Sequence, residues 1–364
     1  PPRLNCRRQR QMCIRDRPSL SQIRPLVGLP EGLVPRKSEL EYARVIAYLL
    51  KGARSLDRPG VSIERLIYVG DTRLNDGNAF ANICRAGGWP GLAFIGSERD
   101  DPPQVEVVEQ PGGALYLANR WSALGDFDRF CRERNHPPDD QAAVVVDLDK
   151  TALGARGRND RVIDQARVEA VRRTVGDLLG AGFDAESFQV AYDCLNQPRF
   201  HPFTSDNQDY LAYVCLILGS GLYVLESLVE EIDSGRMVSF PQFIDGVDSC
   251  SNELPADLRE IHAGIYANVQ RGDPTPFKEF RYNEYLTTTA RMGHLDDAAS
   301  LPDLLDGEIV LTQEVRERAS SWREQGALLF GLSDKPDEAS VPGEELASGG
   351  HLPIHRVETH AVGT

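Results

Sequence analysis

Apolar positions change their period along the chain. Leu40, Ala43, Ile46, Ala47 and Leu50 recur at helical spacing, which predicts an amphipathic helix over 37–52, with Ser38 and Glu41 as a capping-box pair. Residues 66–69 form a short apolar run ending at Gly70-Asp71. Residues 79–85 return to helical spacing and stop at Gly87-Gly88, and 92–95 are the next apolar run. Helix, strand, turn, helix, strand is the rhythm of a parallel α/β sheet. Residues 98–112 are polar and rich in Pro and Gly and read as a loop, and 121–133 read as a helix. Residues 142–146 are continuously apolar and β-branched, the pattern of a central strand buried on both faces, and they end at Asp147.

From 162 to 323 helical spacing dominates, as in Val168, Val171, Val175, Leu178 and Leu179. Residues 312–324 predict a helix stopped by Gly326, 327–332 a buried strand ending at Ser333, and 354–362 a last strand. No internal repeat is present. The pattern predicts an α/β fold: a doubly wound parallel sheet with an inserted, mostly α-helical domain. The core takes 18–159 and 326–364, and the insert 160–325. Residues 1–17 stand apart, with six Arg and one Asp, and QMCIRDR resembles translated sequencing-adapter sequence. They read as foreign to the fold, the alternative being a basic arm that binds an acidic partner.

Composition narrows the class. The 364 residues are 41% hydrophobic and 26% charged, enough for a sizeable core and too apolar for a disordered chain. Aromatics are sparse at 7% and the formal net charge is −15, which argues against nucleic acid and anionic membrane as partners. A small anionic substrate stays compatible, because local charge decides that. The longest uncharged stretch, 210–225, is interrupted by Gly219-Ser220-Gly221 and is short of the roughly 18–20 residues a span needs. It reads as a pair of buried helix segments. Seven scattered cysteines without a CxxC pair, and no secretory signal, fit reduced thiols in a cytoplasm.

The candidate chemistry lies at three strand ends: VVVDLDKT (144–151), YVGDTRLND (68–76) and LLFGLSDKP (328–336). Ligands of open parallel sheets bind beyond the carboxyl ends of the strands, so all three can converge on one crevice. A carboxylate such as Asp147 can attack phosphorus, and Asp149, two residues on, can serve as general acid and then base. A hard cation, Mg²⁺, needs oxygen ligands, and Asp71, Asp76, Asp147 and Asp149 supply them. Asp76 has a second reading, as a cap of the next helix. Ser333 and an ammonium, Lys37 or Lys335, would hold phosphoryl oxygens.

These residues resemble the haloacid-dehalogenase-like (HAD) hydrolase superfamily. Its first motif, an apolar strand followed by DxDx[TV], reads Asp147-Leu148-Asp149-Lys150-Thr151. Its second, a strand ending in Ser or Thr, matches Ser333. Its third, a Lys at a helix start, matches Lys37, which lacks the Pro that often follows. Its fourth, GDxxxxD after a strand, matches Gly70-Asp71 with Asp76. The order here is third, fourth, first, insert, second. A circular permutation restores the family order, and a tandem or truncated chain is the rival explanation. The resemblance implies a doubly wound core, Mg²⁺, an aspartyl-phosphate on Asp147, and phosphoryl chemistry because Asp149 is present. It implies that Thr151 belongs to the phosphate site and that 160–325 is a substrate-selecting cap. It also implies that 154–158 is a mobile flap, whose Arg156 and Arg158 meet an anionic substrate. Within the insert, residues 273–278 with Arg281, Asn283 and Tyr285 read either as a specificity loop or as a solvated loop and helix start.

The function expected is a Mg²⁺-dependent phosphohydrolase acting on a small phosphorylated metabolite. The alternatives are a phosphotransferase or phosphomutase and a non-catalytic module that binds a phosphorylated ligand. Oligomeric state is not read from the sequence. His351, His355 and His360 do not have the spacing of a common zinc site, and Trp89 and Trp121 read as packing residues.

Overall fold

In the computed structural model, which describes residues 19–30 and 34–363, six strands form one mostly parallel sheet. The reading of 1–17 lies outside the described residues. The strands are β1 (Arg65–Gly70), β2 (Gly91–Gly96), β3 (Val105–Gln110), β4 (Gly113–Ala118), β5 (Ala142–Asp147), β6 (Leu311–Thr312), β7 (Leu328–Leu332) and β8 (Ala361–Val362). The large sheet runs β3-β4-β2-β1-β5-β7, with only β3 and β4 antiparallel, and β6 pairs separately with β8.

Alternation along each strand divides the core in two. β5 sends Val144 and Val146 to one face, where they pack with Ile67, Phe94, Phe127 and Trp322. It sends Ala143 and Val145 to the other, with Leu66, Tyr68, Phe80, Ile46 and Phe330. Helices Leu124–Glu133 and Gln313–Glu324 supply the first layer, and Leu40–Asp57 and Asn75–Gly87 the second. A mostly parallel sheet covered on both faces is an α/β architecture compatible with a Rossmann-like core.

The chain divides into two compact units. The first takes the residues up to Asp164, Ala290–Lys335 and those from Arg356. The second takes Gln165–Thr289 and Pro336–His355. The sequence pattern ran the helical insert from 160 to 325. In the structure 290–325 belong with the sheet, and 336–355 belong with the helices. The second unit has its own apolar core, including Val171, Val175, Phe203, Tyr213, Phe240 and Phe243. Residues 210–219 are one mostly buried helix segment within Gln208–Gly219, 220–224 are a turn, and the next helix, Leu225–Asp233, starts only at the last residue of the stretch, so a single buried segment stands where a pair was expected. No helix among the described residues is long and apolar enough to cross a membrane.

Residues 273–277 are loop and Lys278 starts the helix Lys278–Ala290, one of the two readings of this stretch, but Arg281, Asn283 and Tyr285 are buried rather than solvated. Arg281 is buried against Asp209 (2.5 Å) and Glu284 (2.6 Å), and Asn283 donates to Thr174 Oγ1 (2.9 Å). Lys278 pairs with Glu338 (2.7 Å) and Asp273 (2.9 Å). These polar groups satisfy one another inside the second unit.

Three local readings need correction. Residues 98–112 are not all loop: β3 and β4 make a hairpin around Gly112, whose φ of +88° suits glycine. Val105-Glu106-Val107-Val108-Glu109 carries charge because β3 is an edge strand, and that charge hid the strand. Ser38 and Glu41 form no capping box. The helix begins at Leu40 after Glu39, which instead accepts from the Arg36 amide (2.8 Å). Strand structure in 354–362 is limited to β8, after a 3₁₀ turn at Ile354–Arg356.

The packing makes a direct prediction for the thiols. Burial pushes the Cys84 thiol up to about 12 and raises those of Cys131 and Cys215 as well. All three are buried, whereas Cys194 and Cys250 are partly exposed. Iodoacetamide at pH 8 is therefore expected to label Cys194 and Cys250 in the native protein. Cys84, Cys131 and Cys215 should label only after denaturant is added, as read by peptide mass spectrometry.

Candidate functional site

Strand register brings the three polar ends together. β1, β5 and β7 are consecutive parallel neighbours, with Val69 opposite Val146 and Asp147 opposite Leu332. Gly70-Asp71, Asp147 and Ser333 therefore leave the sheet side by side at its carboxyl end. Asp71, Asp76 and Asp147 each place a carboxylate oxygen within 4.8 Å of the others.

Asp76 organises this cluster. It is 1% exposed. Its Oδ2 accepts from the Asp71 amide (3.0 Å), the Thr72 amide (2.8 Å) and Thr72 Oγ1 (2.8 Å). Its Oδ1 accepts from Tyr68 OH (2.9 Å) and faces Lys37 Nζ (2.7 Å). A Cβ on Gly70 would lie 2.5 Å from Asp76 Cγ, so only glycine lets this carboxylate tuck against the end of β1. Asp76 lies in the first turn of Asn75–Gly87, whose N-cap is Leu74. It thus caps the turn before the helix rather than the helix itself.

Lys37 bridges the cluster. Its Nζ lies 2.5 Å from Asp147 Oδ1 as well as 2.7 Å from Asp76 Oδ1. Lys335 is placed by its backbone, whose amide donates to Ser333 Oγ (3.0 Å). Of the two candidate ammonium groups, Lys37 is the one whose ion pairs with Asp147 and Asp76 are described.

Charge and burial oppose each other here. Burial disfavours the Lys37 ammonium, but Asp147 and Asp76 outweigh it and hold the lysine protonated. Burial, reinforced by the charges of Asp76 and Asp71, pushes the Asp147 carboxyl well above the ordinary range despite Lys37. Burial likewise pushes Asp71 up to about 6, with Arg156 pulling against it. Asp76 is held at about 2, because Lys37 and its hydrogen-bond donors overcome burial. Negative charge exceeds the neutralisation that Lys37 and Arg156 provide.

The loop after Asp147 turns back on the sheet. Leu148 N–H donates to Leu332 O (2.8 Å), Ala152 N–H to Asp147 O (3.2 Å) and Leu153 N–H to Leu148 O (2.9 Å). Asp149 sits half-buried in this loop, bridged to Leu153. It is not one of the three grouped carboxylates, which differs from the four-aspartate set read from the sequence. Lys150, at φ +59°, pairs with Asp164 (2.8 Å). Thr151 is fully buried. Its carbonyl accepts from Thr312 Oγ1 (2.5 Å), and its own Oγ1 has no hydrogen-bond partner.

Residues 154–159 form a strap that is anchored at many points, unlike the mobile flap the resemblance implies. Gly154 N–H donates to Val310 O (2.9 Å), and Glu98 N–H to Arg156 O (2.8 Å). Arg156 pairs with Asp71. Arg158 is committed to both oxygens of Glu314 (3.0 and 2.9 Å) and to Glu98 (3.0 Å). It is 6% exposed, and a guanidinium that buried needs these carboxylates, so it does not present itself to an anion as the sequence reading had it. Asn159 donates to Leu305 O (2.7 Å) and Glu308 O (2.9 Å) and accepts from Val310 N–H (3.0 Å). Asn159→Ala would strand two buried backbone groups, Glu308 O and Val310 N–H, and the partly buried Leu305 O. It is expected to cost about 2–4 kcal/mol, read as a lowered denaturant midpoint.

His360 is fully buried, between Glu308 (2.5 Å) and Asp297 (3.3 Å). Among the described residues, the grouping of three or more possible metal ligands is the aspartate cluster, and none of the three histidines belongs to it. Trp121 packs as expected, and its Nε1 also donates to Arg156 O (3.2 Å).

Sequence reasoning passed over Tyr68, Thr72 and Tyr42. Tyr68 had a signal, since a phenol inside an otherwise apolar buried strand needs a partner for its hydroxyl. Tyr42, in the first turn of Leu40–Asp57, is raised by burial and then by Asp334, with Lys37 and Asp147 also in electrostatic range.

The donor set is all carboxylate oxygen, which suits a hard divalent cation. Asp71 and Asp147 are its candidate ligands, and Asp76, with five donors already on its oxygens, is their support. Comparison with family models, with curated proteins and with solved structures finds no match to this chain.

Proposed function

We propose that the protein is a Mg²⁺-dependent phosphohydrolase of the HAD-like kind, acting on a small phosphorylated metabolite in the cytoplasm. The observation that carries this reading is the Lys37 ammonium between Asp147 and Asp76, with Asp71 beside them, at the ends of adjacent parallel strands. Asp147 attacks phosphorus and forms an aspartyl-phosphate while Asp149 protonates the leaving oxygen. Asp149 then takes a proton from water, which attacks the same phosphorus and frees Asp147. Lys37 and Ser333 hold the phosphoryl oxygens as charge develops. Asp71 and Asp147 would hold Mg²⁺, which when bound offsets phosphoryl charge.

In this reading the helical unit acts as the substrate-selecting cap, and the motif order reflects a circular permutation. Phosphate release from an aryl phosphate and a panel of phosphomonoesters, with Mg²⁺ and with EDTA, tests the activity. Mg²⁺-dependent release is expected. A folded protein that binds Mg²⁺ and releases phosphate from none of the panel overturns hydrolysis and leaves phosphoryl transfer or ligand binding.

A further inference from the structure

We propose that Arg156 is a counter-ion gate on the cation site: its guanidinium occupies Asp71 until a divalent cation displaces it, and the freed guanidinium then meets the anionic substrate. The inference rests on the cation site proposed above and assigns a role that the site's other cation does not share.

Among the described ion pairs, Lys37 and Arg156 hold the carboxylate cluster, and they are held differently. Lys37 is 7% exposed and spans two carboxylates, so moving it breaks two buried ion pairs at once. Arg156 is 37% exposed while its partner Asp71 is 7% exposed. Its guanidinium therefore sits at the solvent side of a buried carboxylate and can leave without burying or stranding its own charge.

The backbone beneath Arg156 is fixed. Its N–H donates to Lys150 O (2.8 Å), and its carbonyl accepts from Glu98 N–H (2.8 Å) and Trp121 Nε1 (3.2 Å). Gly157 follows at φ +78°, and a Cβ there would lie 1.9 Å from Glu98 O, so the strap is pressed against the end of β2. Arg158 locks the next turn through Glu314 and Glu98. What can move is the Arg156 side chain, by rotation about its own bonds on an immobile base.

Charge balance gives the order of events. Asp71 is the carboxylate that Arg156 offsets, and a divalent cation bound there would supply that positive charge in its place, so Arg156 would no longer be needed on Asp71. A guanidinium released at the mouth of the site suits a phosphate bidentately. Cation binding thus prepares anion binding, and Arg156 competes with the first and serves the second.

Calorimetric titration of the full chain with Mn²⁺ and then inorganic phosphate at pH 7.5 tests this, with Asp71→Asn, Arg156→Gln and Arg156→Lys beside the wild type. Arg156→Gln is expected to bind Mn²⁺ about 10-fold more tightly, as removal of a partly exposed competing charge would give. With Mn²⁺ saturating, it should bind phosphate about 10-fold more weakly. Arg156→Lys should fall between, which guards against a misfolded Gln variant. Mn²⁺ affinity that is unchanged or lower in Arg156→Gln, while Asp71→Asn loses binding, overturns the gate and leaves the cation site standing. Wild type that binds no Mn²⁺ overturns the cation site and the gate with it.

Discussion

On the proposed mechanism, Asp147→Asn lowers Mg²⁺-dependent phosphomonoester hydrolysis by at least about 10⁴-fold, as loss of a nucleophile does. Stability should change less than in Lys37→Met, because Asn keeps the shape at the end of β5 and Lys37 keeps its contact with Asp76, while the amide removes a carboxylate that burial pushes well above its ordinary range. Activity lost with the fold kept is a result that a misfolded variant would not show. Phosphate release and a melting curve on the same preparation check both. A variant that retains a tenth or more of the wild-type rate would mean that Asp147 is not the nucleophile.

β1, β2 and β5 were readable because they are buried at nearly every position, and β7, although it lies at the sheet edge, keeps a continuous apolar run; each lies within a residue or two of the expected place. β3 was not readable, because an exposed edge strand carries charge that makes it look like loop. β6 and β8 are two residues each and exist through pairing across the chain, with Leu311 opposite Ala361. No local period encodes such a pair. The same holds for 290–325, which are helical in pattern yet pack with the sheet unit.

The site was readable as residue types and not as a network. That Asp71, Asp147 and Ser333 share one end of the sheet follows from parallel strands and polar strand ends, and the register agrees. Which ammonium joins the carboxylates does not follow, because Lys37 and Lys335 both flank the right elements and only long-range packing separates them. Arg156 and Arg158 look alike in sequence. They differ because one points to Asp71 and the other is enclosed by Glu98 and Glu314. Such pairings span dozens to hundreds of residues and leave no trace in local spacing.

Lys37→Met gives the largest stability effect expected in the sheet unit. It leaves Asp76 and Asp147 buried without their shared cation. Breaking a buried ion pair from one side costs about 3–5 kcal/mol, which should lower the unit's melting temperature by roughly 8–15 °C in EDTA. The wild-type lysine titrates far above neutrality. Its contribution is therefore complete at any pH below the unfolded lysine value and is lost only in strong alkali. The pH dependence of the deficit must then come from the carboxylates. Without Lys37, Asp76 loses what holds it low and Asp147 is raised further, so the variant regains stability as they protonate, and the deficit narrows toward pH 5 and widens toward pH 8. Mg²⁺ should narrow it at pH 8 by supplying the missing charge. A loss in Lys37→Met that is the same at every pH and unmoved by Mg²⁺ would mean that Lys37 stabilises the fold by packing alone, and that the charge network among Lys37, Asp76 and Asp147 is not what holds the ends of β1 and β5 together.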